Sequence, residues 1–178
     1  MKTKILFILF VTTFFFSCKE NTENIESKTE TDVVEIEKKL GISISFKIEK
    51  ADKIRFMMNG IEIDEFQKKN IFFVEDVMPT TNYEKSTVYF DSNNFSRNIS
   101  INLGDNNDNI IEFKDITFSY GSKEIVVDKN NYDTYLGHNI FVERDSLTNK
   151  FKTTKVKDKP FNPLIYVRQT LLNELVSQ

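Results

Sequence analysis

The chain has no tryptophan, one cysteine and one histidine, with only three prolines and five glycines among 178 residues. Each shortage closes something off. A lone thiol, Cys18, cannot form an intrachain disulfide, so stability must come from packing. A lone imidazole, His138, with no cysteine cluster beside it, removes the donor sets that hold zinc and most transition metals. The spacings HxH, HExxH and G-x-S-x-G do not occur, so His138 reads as a loop histidine, and neither a catalytic set nor a cofactor is expected. No second long apolar run follows residue 16, which leaves no further membrane span to expect. With a net charge of −3 and its lysines dispersed, the chain lacks the concentrated basic surface that nucleic acid requires.

What is present begins with the leader. Lys2 and Lys4 give a basic start, and Ile5 to Phe16 is apolar or threonine throughout, the length of a secretory h-region. The run falls short of the roughly 20 residues that cross a bilayer. Phe15-Phe16-Ser17-Cys18 resembles a bacterial lipobox, with aromatics in place of the usual Leu-aliphatic pair, a variant of Bacteroidota-like lipoproteins. The resemblance implies cleavage between Ser17 and Cys18, a diacylglyceryl group on the Cys18 thiol, and anchoring in the bacterial envelope, at the outer membrane. Loss of residues 1–17 takes away Lys2 and Lys4 and moves the charge from −3 to −5. Residues 19–32 then hold one aliphatic side chain, Ile25, too little to offset the entropy of ordering them. Residues 18–40 are therefore expected to be the lipidated cysteine and a polar tether, and residues 41–178 the folded domain. Lys19-Glu20 is similar to the Lys-plus-acid export signals of Bacteroidota surface lipoproteins, and periplasmic against surface orientation stays open.

After residue 40 the hydrophobic period becomes two. Ile42, Ile44, Phe46 and Ile48 alternate with polar residues, as do Ile54, Phe56 and Met58, and Asn59-Gly60 offers a hairpin turn before Ile61-Glu62-Ile63. Ile71-Phe72-Phe73-Val74 is apolar on both faces and predicts a central strand. Thr87 to Asp91 and Arg97 to Leu103 read as strands. Ile111 and Phe113 share one parity and Ile116, Phe118 and Tyr120 the other, which predicts a bulge near Lys114-Asp115. Gly121-Ser122 turns into a strand at Glu124 to Val127, and Asn130 to Leu136 suggests a helical turn. Ile140 to Val142 and Lys150 to Lys155 form a last pair around Asp145-Ser146. Leu164, Val167, Leu171, Leu172 and Leu175 predict a C-terminal helix. The sum is an all-β, antiparallel β-sandwich, jelly-roll or immunoglobulin-like, with a short C-terminal helix.

Ile99-Ser100-Ile101-Asn102-Leu103-Gly104-Asp105-Asn106, followed by Ile110 to Phe118, resembles a β-sandwich module of uncharacterised Bacteroidota lipoproteins and of extracytoplasmic domains attached to bacterial glycosyltransferases. The resemblance spans residues 42–150, with Asn139, Ile140 and Asp145 at the module's ending and Asn102 where the module carries Asp. It implies the fold and proximity to glycans, and no catalytic residues.

Asp105, Asn107 and Asn109 set oxygens at alternate positions, as hard cations prefer. An EF-hand is excluded because its sixth and twelfth positions are Ile110 and Ile116; another calcium geometry and a plain polar loop both remain. Asp145-Ser146-Leu147 resembles the Asp-(Ser/Thr)-aliphatic O-glycosylation signal of Bacteroidota, which makes Ser146 a candidate acceptor; an ordinary turn is the competing reading. Tyr83, Tyr89, Tyr120, Tyr132 and Tyr135 are candidate sugar platforms, against their use as core filling. Acidic residues number 27, so carboxylate pairing for glycoside hydrolysis is invisible at this level. A chain of this size, part of it tether, has little room for a hydrolase cleft. The expected function is a non-catalytic envelope module that binds a protein partner, with glycan binding as the alternative and a small hydrolase as a distant third.

Overall fold

The computed structural model describes residues 38–90 and 96–177. The expected leader, Ser17, Cys18 and most of the tether lie outside the described residues. The chain runs β1 (Leu40–Ile48), β2 (Asp52–Glu62), β3 (Lys68–Val77), β4 (Glu84–Phe90), β5 (Asn98–Asn102), β6 (Ile110–Tyr120), β7 (Lys123–Val127), α1 (Tyr132–Tyr135), β8 (Leu136–His138), β9 (Val142–Asp145), β10 (Lys150–Thr153), β11 (Leu164–Val167) and α2 (Gln169–Val176). β1 takes in Leu40, one residue before the expected start of the domain. One sheet has the order β4-β1-β6-β10-β9, with β7 also on β6; the other has the order β3-β2-β5-β11-β8. Every pairing is antiparallel. The two sheets form the predicted β-sandwich, and no described helix is long and apolar enough to cross a membrane.

Alternation decides which face goes inside. Ile42, Ile44, Phe46 and Ile48 on β1 meet Ile54, Phe56 and Met58 on β2 and Ile99 and Ile101 on β5 across a shared core. Each such side chain contributes about 1.5–3 kcal/mol by leaving water. The phase switch in β6 resolves as a bulge. Ser45 pairs with Asp115 and Phe46 with Phe113, so the exposed Lys114 is the extra residue, and Ile111, Phe113, Ile116 and Phe118 all face inward.

Four expectations need correction. Asn59-Gly60 is not a turn, because β2 runs on through it to Glu62. Register shifts between Met58 and Ile61; Gly60, at φ 69°, donates its N–H to Asn70 Oδ1 at 2.9 Å. A bulge with glycine at positive φ and a tight hairpin turn can both use Asn-Gly, so the dipeptide alone cannot separate them. The reversal falls at residues 63–67, where Asp64 Oδ1 accepts the N–H groups of Phe66 and Gln67, both at 2.8 Å. Ile71 to Val74 is not central; β3 is the edge of its sheet, with Phe72 64% and Val74 42% exposed. The strand expected at Ile140 begins instead at Val142, and Ile140 is exposed. Leu164 to Val167 is strand β11, not the start of the C-terminal helix. Ile165 and Val167 are buried with period two, and the helix starts at Gln169 with Leu171, Leu172 and Leu175 inward.

Candidate functional site

The polar loop after β5 is a structural device. Asp52, nearly buried, accepts the N–H groups of Lys53 (2.8 Å), Asp105 (2.7 Å) and Asn106 (3.1 Å) and the Asn109 side-chain amide (3.1 Å). Gly104 sits at φ 110°, and a Cβ there would lie 2.2 Å from Asp52 Cγ. Asp105 is engaged by the Arg55 guanidinium through two bonds of 2.9 and 2.6 Å, which hold its carboxyl below the usual carboxylate range. Asn107 Oδ1 accepts from the Lys155 N–H at 2.6 Å and Asn109 Oδ1 from the Lys50 N–H at 3.0 Å. The three alternating oxygens thus point to three different protein donors rather than to one cation. Asn102, where the resembled module has Asp, accepts from Arg55 and from the Gly104 N–H, both at 3.0 Å.

On the outer face of the β4-containing sheet, register builds a row of charges that sequence order hides. Lys47 is opposite Glu112, Glu112 opposite Lys150, and Lys150 opposite Asp145. Signs therefore alternate across β1, β6, β10 and β9, the arrangement that favours cross-strand neighbours. A groove of about 560 Å³ opens over this row, lined by Lys47, Glu49, Thr80, Ile110, Glu112 and Lys150. A second depression, of about 330 Å³, shares Ile110 and Lys150 and reaches Asp145. Tyr83 touches two of the lining residues: its hydroxyl donates to Glu112, which pushes the phenol up to about 12, and the Lys47 amine sits 4.3 Å from the ring centroid. Ser146 is exposed in the adjacent β9–β10 turn. There Asp145 accepts the Leu147 N–H at 2.9 Å and the Thr148 hydroxyl at 2.6 Å.

The other tyrosines are dispersed. Tyr132 is buried, and Tyr135 donates to Glu174 at 2.9 Å. Tyr120 packs partly buried against the core. Tyr89 covers Gly41, and Tyr166 covers Gly137 in the same way on the other sheet, aromatic rings filling the space over strand glycines. His138 Nδ1 lies 3.3 Å from the Tyr132 hydroxyl, and burial, then the nearby Arg144 charge, lowers its pKa. Arg144 is not among the residues that the sequence singles out. Its side chain is 4% exposed, stacked 4.2 Å over the Tyr132 ring and ion-paired to Asp133 at 3.2 Å. Nothing in Val142-Glu143-Arg144-Asp145 distinguishes it from a solvated turn residue.

Among the described residues, several exposed apolar side chains fall on the β2–β3 hairpin and the residues after it. Ile63, Phe66, Phe72, Val74 and Met78 are all exposed, Phe66 to 92%. Among the described residues β3 has one strand neighbour, β2. Edge strands are normally guarded by central charges, proline or a bulge. Asn70 to Val74 has neither charge nor proline. Comparison with known proteins found no matching family model, no matching curated protein and no matching solved structure.

Proposed function

We propose that this chain is a lipid-anchored, non-catalytic module of the bacterial envelope that docks a protein partner along β3. One observation carries the reading: a ten-residue edge strand whose uncharged centre presents Phe72 and Val74 to solvent. Such an edge supplies unpaired backbone donors and acceptors for strand addition, and its side chains supply specificity. Anchorage at Cys18 supports it by confining the partner search to the membrane. A photo-crosslinking residue at position 72 of the full chain, expressed in its envelope, is expected to give a discrete protein adduct. The same probe at the exposed Val126, on the other sheet, should give none. Absence of any adduct at position 72 refutes the reading.

The second reading is glycan binding at the groove, favoured by Tyr83 beside the Lys47–Glu112–Lys150 row, since paired charges and a neighbouring aromatic ring suit sugar hydroxyls and ring faces. A glycan array reports on it independently of the crosslink.

A further inference from the structure

We infer that the partner of β3 is a second copy of this chain, paired antiparallel about a twofold axis at Phe72. The inference rests on the reading of β3 as the docking strand and goes beyond it by naming the occupant. The strand reads Lys68-Lys69-Asn70-Ile71-Phe72-Phe73-Val74-Glu75-Asp76-Val77. Folded against itself with Phe72 opposite the partner's Phe72, it sets Lys68 opposite the partner's Asp76 and Lys69 opposite the partner's Glu75. Asn70 then meets the partner's Val74, and Ile71 the partner's Phe73. Both ends match in charge, and the centre matches in apolarity. Shifting the register by two residues breaks both matches.

The charges already made within one copy extend the match. Glu62 is opposite Lys68, 3.4 Å apart, and Lys53 is opposite Asp76 at 3.6 Å. Across the axis these become one row, Glu62, Lys68, the partner's Asp76 and the partner's Lys53, with signs alternating over four strands. The same row repeats at the other end by symmetry. Opposite charges directly across strands favour a register and like charges oppose it. A twofold contact uses the same patch twice, which a self-complementary strand satisfies and an arbitrary partner does not. The exposed Phe72 and Val74 thereby gain cross-strand neighbours on the same face, and the sheet becomes continuous through both copies. Two anchors in one membrane hold the copies at high effective concentration.

Cysteine pairing in the full chain tests both occupant and register. Residues directly opposite in an antiparallel pair lie about 4.5–5.5 Å apart at Cα, within disulfide reach. Phe72→Cys, oxidised with copper phenanthroline in intact envelopes, is expected to give a disulfide-linked dimer. Val74→Cys meets its own copy only at an offset of four residues, about 13 Å, and should give about tenfold less. The parent chain, with Cys18 alone, serves as background. Lys68→Glu with Lys69→Glu should abolish the Phe72→Cys dimer, and adding Glu75→Lys and Asp76→Lys, together with Glu62→Lys and Lys53→Glu to keep the pairs within each copy opposite in sign, should restore it. Equal dimer at positions 72 and 74, or no rescue by the added changes, overturns the inference. An adduct at position 72 to a different protein overturns self-pairing while leaving β3 as the docking strand; no adduct of any kind removes both.

Discussion

Asp52 and Gly104 should behave as one unit, and a double-mutant cycle can show it. Asp52→Ala removes a nearly buried carboxylate and strands the three backbone N–H groups and one side-chain amide it accepts. Hydrogen bonds to a charged group contribute about 1.5–3 kcal/mol each, and some of the freed donors regain water at the loop surface. A loss of about 3–5 kcal/mol follows, with a fall in Tm of roughly 10 °C for a domain of this size. Gly104→Ala acts on the same contact from the other side. Its Cβ would sit 2.2 Å from Asp52 Cγ, so the carboxylate must leave its donors, and φ 110° adds backbone strain of about 1–3 kcal/mol. In the Asp52→Ala background the collision is gone and only that strain remains. The two losses should therefore fall short of additive by about 2 kcal/mol or more. Urea unfolding at neutral pH, followed by far-UV circular dichroism, measures all four corners of the cycle. Additivity within error, or a loss under about 1 kcal/mol for Asp52→Ala, would refute the hub.

Two further outcomes are expected. Cys18→Ser should abolish incorporation of a clickable fatty acid and release the chain from the membrane fraction; acyl label retained in the variant rejects the lipoprotein reading. His138 has a folded pKa below its unfolded value of about 6.5, so the unfolded chain binds more protons and stability falls as pH drops through that value. His138→Gln should flatten the stability profile between about pH 5 and 7, and an unchanged slope there counts against a partly buried neutral histidine.

Much of the sandwich is legible in period-two runs, because a half-buried strand leaves no other pattern. The β6 bulge at Lys114 and the turn at Gly121 follow from parity and from glycine φ alone. The placement of β3 does not. An apolar run on both faces describes a strand covered by two layers and equally a strand awaiting a partner, and local hydropathy is the same in both. Leu164 to Val167 escaped for a related reason, since its few apolar residues fit a helical face as well as a strand. The charge row over the groove and the Asp52 hub depend on register between segments tens of residues apart. No local window contains both halves of either.

The order in which the strands meet imposes a schedule on folding. β11, near the C-terminal end of the chain, lies between β5 and β8, and β1 pairs with β6 across the whole intervening sequence. Contacts of such long range form late and slowly, because loop closure precedes any reward. A chain delivered from its N-terminus therefore has β5 bare, with no partner on its β11 side, until residues 164–167 arrive. During that interval the waiting strand is open to wrong pairings, and chaperone holding or rapid completion of synthesis would govern yield more than native stability does.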